Sequence, residues 1–172
     1  KVVIIGGGTG LSVMLRGMKH IDDIQLSAIV TVADDGGSTG RIRDSYQIPA
    51  MGDIRHVMCA MAEEESIFTD LMNYRFGGEG DIAGHNLGNL LLLALSQTTG
   101  SFMEAIRTFS RVLKVRGKII PSTLEIVTLF AIMEDGTIVR GEDNIPKFRN
   151  HIDRVFYQRD IKATKESLEA IP

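Results

Sequence analysis

The chain opens on Val2-Val3-Ile4-Ile5, a short apolar and largely β-branched run that stops abruptly at Gly6-Gly7-Gly8-Thr9-Gly10. Such a run predicts a strand buried on both faces, as in a parallel sheet. Four glycines in five residues exceed what a plain turn requires. They let the backbone turn tightly and come within hydrogen-bonding distance of an anion, which the free N–H groups of a following helix then face. That helix is written in the next residues, because Leu11, Met14, Leu15 and Met18 fall at i, i+3, i+4 and i+7 on one face. After a turn at Asp22 and Asp23, Leu26 and the run Ala28 to Val32 make a second buried strand. Strand, glycine turn, helix and strand form a βαβ unit, so the two strands are expected to be parallel with a right-handed crossover.

Beyond a loop from Asp34 to Gly40, Ile54, Val57, Met58 and Met61 mark a helix from Gly52 onward, with Asp53 placed as its N-cap. Further helices are expected from about Ser66 to Tyr74 and from Asn86 to Ser96. Ser101 followed by Glu104 is a capping box, and Phe102, Ile106, Phe109 and Leu113 continue that helix on one face. After Gly117 the period changes. Ile119 to Pro121, Leu124 to Met133, Thr137 to Val139 and Ile152 to Tyr157 read as strands, with Asp135-Gly136 as a hairpin turn. A final helix, Ala163 to Ile171, stops at Pro172. The expected fold is α/β: a Rossmann-like doubly wound parallel sheet in a single domain over 1–172, carrying a small antiparallel, β-rich excursion over 118–157. Such a sheet needs more than two parallel strands. The C-terminal part of the fold is therefore expected to be missing, making this the N-terminal part of a longer protein.

Composition narrows the partners. With 172 residues, 44% of them hydrophobic, the chain can bury a full core. Its net charge of -3 and scattered basic residues provide no footprint for nucleic acid or for an anionic membrane. Small molecules and proteins are the expected partners, a second copy of the chain among them. The single cysteine, Cys59, excludes an internal disulfide. The longest apolar run, Leu90 to Leu95, is too short to cross a bilayer, and Lys1 leads directly into a strand pattern, so a cytoplasmic protein is expected.

Four constellations can carry chemistry. In the first, Gly7, Gly8, Thr9 and Gly10 offer backbone donors to a phosphate. Val13 stands where the third glycine of a dinucleotide fingerprint would be, and no lysine completes a P-loop. In the second, Asp34, Asp35, Gly36, Gly37 and Ser38 follow the second strand at the same sheet edge. Here an acid can hold a ribose hydroxyl, ligate Mg²⁺ or cap a turn, and Arg41 or Arg43 can neutralise a diphosphate. The third is Asp53 at its helix start, where capping alone accounts for an acid. In the fourth, His85, Asn86 and Asn89 sit among Gly84 and Gly88, where paired amide donors and acceptors can read a base or sugar edge or cap a helix. His20, His56 and His151 lack metal-ligand spacing, no metal site is expected, and Cys59 reads as a buried structural thiol. Glu63 to Glu65 reads as a solvated helix end. No catalytic residue is specified.

Taken in order, GGGTGLS, VTVADDGGSTGR, GDIR, GHNLGN, GKIIPST and EDGTIVRGE resemble the YvcK family of gluconeogenesis and morphogenesis factors over essentially the whole chain. The wider superfamily includes CofD, a 2-phospho-L-lactate transferase. The resemblance implies a Rossmann-like domain that binds a nucleotide ligand, a uridine-diphosphate sugar or an NAD-like dinucleotide, with cytoplasmic roles in cell shape and growth on gluconeogenic carbon. It implies that Gly7 to Gly10 receive phosphate, that Asp34 to Ser38 line the pocket, and that Asp53, His85, Asn86 and Asn89 surround the remainder. Family members continue with an LGPGS-type strand and loop that this chain lacks, so part of the pocket is expected elsewhere. The alternative is a CofD-type transferase acting on a nucleoside-diphosphate-linked organic acid, the one reading that calls for Mg²⁺. An NAD-dependent oxidoreductase is the least favoured.

Overall fold

The computed structural model describes residues 1–63 and 67–171. Glu64, Glu65, Ser66 and Pro172 lie outside the described residues, and with them the acidic helix end, the expected helix start at Ser66 and the stop at Pro172. The βαβ unit forms as the opening residues dictate. Strand β1 (Val2–Gly6) leads into helix α1 (Gly8–Met18), and β2 (Leu26–Val30) pairs with β1 in parallel, Val2 opposite Leu26 and Gly6 opposite Val30.

A third parallel strand, β3 (Lys118–Pro121), pairs with the far edge of β2, so the sheet order is β1-β2-β3. This corrects the expected start of the β excursion: 118–121 belongs to the main sheet. It also corrects the reading of β1. As an edge strand, β1 packs Val2 and Ile4 against the core but leaves Ile5 63% exposed, so it is not buried on both faces. A similar limit applies to α1, where Leu11 and Leu15 are buried while Met14, at the flank of the stripe, is 55% exposed.

Among the described residues, five helices run between β2 and β3: α2 (Gly37–Tyr46), α3 (Gly52–Met61), α4 (Ile67–Asn73), α5 (Leu87–Thr99) and α6 (Phe102–Val112). Helix α3 is the hub, in contact with α1, α4, α5, β2 and β3. Ile54, Val57, Met58 and Met61 are fully buried along it, each contributing roughly 1.5–3 kcal/mol relative to an exposed side chain. Helix α2 was not visible as apolar periodicity. Its first turn, Gly37-Ser38-Thr39-Gly40, reads as loop, and Ser38, Thr39 and Arg43 are buried through polar contacts. Ser101 caps α6 by accepting from Glu104 N at 3.3 Å, but the box is half made, since Ser101 N donates to Thr99 Oγ1 and Glu104 pairs with Arg107.

The antiparallel module is smaller than expected. It consists of β4 (Phe130–Met133), β5 (Ile138–Arg140) and β6 (Ile152–Phe156) in the order β5-β4-β6, with Gly136 (φ 83°) in the hairpin turn. Residues 124–129 form no strand. The last helix, α7 (Lys165–Ala170), is capped by Thr164, which accepts from Ser167 N at 3.1 Å.

Candidate functional site at the carboxyl edge of the sheet

The two glycine-rich loops leave β1 and β2 side by side, with Thr31 N donating to Gly6 O at 2.9 Å. Gly8 starts α1 with φ 64°, a left-handed conformation that side chains disfavour. Gly7 is required by crowding: a Cβ there would collide with Thr31 Oγ1 and lie 2.5 Å from Asp53 Oδ2. Gly10 faces open space, and Thr9 and Gly10 are exposed. Within one motif, therefore, two glycines satisfy the fold and a third leaves the first turn of α1 accessible.

Asp53 is not the N-cap of α3. Met51 holds that position without a side-chain cap, and the Asp53 carboxylate crosses to the loop after β2, where Oδ2 accepts from Thr31 Oγ1 at 3.1 Å. Burial raises its pKa above the ordinary carboxylate value, against hydrogen bonds from Thr31 and the Gly8 backbone that favour the charge; nearby Asp34 adds to the rise and Arg55 opposes it. Asp34 is held similarly, with Oδ1 accepting from Gly36 N at 2.9 Å. Its Oδ2 sits against the start of α3, 2.5 Å from where a Gly52 Cβ would be, and Thr39 Oγ1 of α2 is at 2.6 Å from the same point. The starts of α1, α2 and α3 thus meet around two carboxylates. Each start contributes unpaired N–H groups and a partial positive charge.

The antiparallel module closes this crevice from the side. Asp35 Oδ1 accepts from Asp143 N at 3.0 Å, and Asp35 Oδ2 lies 4.0 Å from Arg43. Glu142, in the same turn, has its carboxyl raised by burial first and then by the charges of Asp34, Asp53, Asp35 and Asp143. Sequence reading did not single out Glu142 or Asp143, although Glu142 closes the EDGTIVRGE segment and Asp143 follows it directly. Arg43 does not serve a ligand: it is buried, donating to Val127 O at 3.1 Å and to Asp44. Arg41 is exposed.

The Asn89 amide and the side-chain oxygen of Asn86 are engaged inside the protein. Asn86 caps α5 by accepting from Asn89 N at 3.1 Å, and Asn89 accepts from Arg55 Nε at 3.1 Å while its Nδ2 donates to Ser38 Oγ and Thr39 Oγ1, each at 3.3 Å. Ser38 Oγ also accepts from Asn86 N at 3.1 Å. With both lone pairs used, its hydroxyl proton is left for His85 Nδ1, 3.3 Å away. The imidazole is therefore the neutral tautomer protonated on Nε2. Burial, then the charges of Arg41 and Arg75, lower its pKa in the same sense. Arg55 is buried with neutral partners: Asn89, Met72 O, Asn73 Oδ1 and His56 Nε2. His56 accepts from Arg55 and so is neutral; burial and Arg55 lower its pKa. Cys59 is buried and its thiol pKa is raised by that burial.

Among the described residues no three His, Cys, Asp or Glu side chains gather in an arrangement able to hold a metal ion, and no helix is long and apolar enough to cross a membrane. A recess of 1190 Å³ lies at the opposite end of the sheet, lined by Lys1, Leu26 and Lys118 at the strand starts and by side chains of both charge signs from α6 and α7. It is roomy, but the acids that the first turns of α6 and α7 bring to it, Glu104 and Glu166, are both paired with Arg107. The carboxyl edge carries the converging donors and the carboxylates with raised pKa, and for that reason it is the candidate site.

Comparison with known proteins identifies the family. The family model described as 2-phospho-L-lactate transferase CofD matches residues 2–172. The gluconeogenesis factor of Bacillus subtilis is 48% identical over 172 residues, covering 100% of this chain and 52% of that protein. A Thermotoga maritima protein named putative gluconeogenesis factor is 46% identical, over 99% of this chain and 54% of its own length. A crystal structure of a Bacillus halodurans protein of the UPF0052 family superposes with a TM-score of 0.91 at 48% identity, over 99% of this chain and 56% of that one. The chain spans about half the length of the curated relatives it matches. A match over nearly every residue, with the same fold, shows that the chain belongs to the CofD family and lies close to its gluconeogenesis factors.

Proposed function

We propose that the chain is the nucleotide-binding part of a cytoplasmic regulatory factor that binds a uridine-diphosphate sugar and governs cell shape and growth on gluconeogenic carbon. The observation that carries this reading is the meeting of three helix starts at the carboxyl edge of a parallel sheet, the place where open α/β sheets take nucleotides. The names of the Bacillus subtilis and Thermotoga maritima relatives support the regulatory role. In this reading the first turn of α1, at Thr9 and Gly10, and that of α2, at Gly37, provide backbone donors, and Asp34 and Asp53 accept hydroxyl protons from the ligand. Ser38, Asn86 and Asn89 hold these elements in place. Calorimetric titration with UDP-N-acetylglucosamine tests it: saturable binding without turnover is expected, and absence of binding removes the reading.

A transferase of the CofD type is the second reading, favoured by the carboxylates of Asp34, Asp35, Asp53 and Glu142 around one crevice. Among the described residues the side chains alone do not make a magnesium site, so phosphate oxygens of a substrate would have to complete it. Magnesium-dependent turnover of a nucleoside-diphosphate-linked organic acid, lost in Asp34→Asn, would establish it in place of the first.

A further inference from the structure

The segment after α4 folds back on itself at the rim of the crevice. Phe76 N donates to His85 O at 2.9 Å, Gly84 N to Phe76 O at 2.7 Å, and Arg75 bridges to Asn86. Two guanidinium groups grip consecutive carbonyls of this loop: Arg41 NH2 donates to Ala83 O at 2.9 Å and Arg75 NH1 to Gly84 O at 2.7 Å. Both side chains are exposed. Among the described residues neither has a carboxylate within salt-bridge distance, although Glu79 and Asp81 belong to the same loop. His85 follows directly, with its proton fixed on Nε2 by the Ser38 hydroxyl. Arg41, Arg75 and His85 Nε2 thus present donors only, and two like charges repel across a short stretch of backbone. The neighbouring floor of the crevice is acidic at Asp34, Asp53 and Glu142, so the backbone donors of the helix starts do not by themselves balance the charge of a diphosphate.

We propose that Arg41, Arg75 and His85 form an oxyanion clamp beside the glycine loops, so that one phosphate of a bound diphosphate lies on this rim while the other meets the helix starts and the ligand hydroxyls face the carboxylates. An anion between the guanidiniums replaces repulsion by charge-assisted hydrogen bonds. The clamp rests on the nucleotide-binding reading for its ligand but can be measured independently of it.

Inorganic pyrophosphate is titrated into the chain while the His85 imidazole is followed by NMR, with UDP-N-acetylglucosamine titrated separately by calorimetry. A saturable His85 shift is expected in the unmodified chain. In Arg41→Gln and Arg75→Gln, both exposed changes that leave the core intact, pyrophosphate affinity is expected to fall about tenfold each, the weight of one charged hydrogen bond. Arg149→Gln with Arg154→Gln serves as the control and is expected to leave the shift unchanged. A missing shift, or equal affinity in the clamp and control variants, overturns the clamp. Pyrophosphate binding without nucleotide binding keeps the clamp and removes the function proposed above; nucleotide binding indifferent to both arginines keeps that function and removes the clamp.

Discussion

The helical core and the antiparallel module border the same crevice but are built to different standards. Around α3 the buried cluster runs from Leu11 in α1 to Ile119 in β3 and on to Val127, whereas the module's own core is Ala131, Met133, Val139 and Ile145 with Leu129 beside them. Strand β6 has Ile152 at 49% and Val155 at 54% exposure. The module is instead fastened through polar contacts such as Asp143 N to Asp35, while Arg43 holds the Val127 carbonyl in the segment that leads into it. The difference indicates a rigid floor carrying Asp34 and Asp53, and a side wall carrying Glu142 that opens at lower free-energy cost.

The comparison breaks most visibly in the core. Met58→Ala, at a fully buried position of α3, is expected to cost about 2–5 kcal/mol and to lower the whole denaturation curve. Arg43→Ala is expected to cost less, about 1–3 kcal/mol, through the unmet Val127 carbonyl and the loss of the nearby charge from Asp35. Hydrogen exchange should localise the loosening to β4, β5 and β6 and leave α3 protected. A loss of protection in both regions alike would remove the distinction.

The floor has its own signature in pH. Asp53 is held above its ordinary pKa by burial, so the folded chain takes up that proton more readily than the unfolded one. Its stability contribution is greatest below the unfolded value, 3.8, and falls as pH rises through the folded pKa. Asp53→Asn keeps an acceptor for Thr31 and removes the desolvated charge. It is expected to raise Tm at neutral pH and to lose this contribution to the pH slope, as measured by calorimetry from pH 4 to 7; a lower Tm at neutral pH would show that the charge stabilises the fold. The smallest effect is expected on β6, where Val155→Lys should change stability by less than about 0.5 kcal/mol.

What could be read in the sequence was whatever is local and periodic. The strand ending in glycines, the stripe Ile54, Val57, Met58 and Met61, and the Asp135-Gly136 turn each follow from neighbours within one element. The errors were of another kind. Helix α2 begins in Gly37-Ser38-Thr39-Gly40 and is held by contacts from α5, more than forty residues away in the chain. Asp53 stands where a helix begins and reads as a cap, yet its partner is Thr31 in the loop after β2. The contacts of Asn89 with Ser38, Thr39 and Arg55 are likewise made across elements that no local pattern joins. The membership of β3 in the main sheet, and the arrival of Glu142 beside Asp34, depend on chain crossings that no local pattern encodes.

The central claim is that the carboxyl edge of the sheet is where the ligand lies. A crystal structure of the chain grown with UDP-N-acetylglucosamine addresses it directly. The account predicts density for the nucleotide between the Thr9 and Gly37 turns, with phosphate within hydrogen-bonding distance of backbone N–H groups or of Arg41 and Arg75. Density instead in the recess between Lys1 and Lys118, at the strand starts, would contradict it.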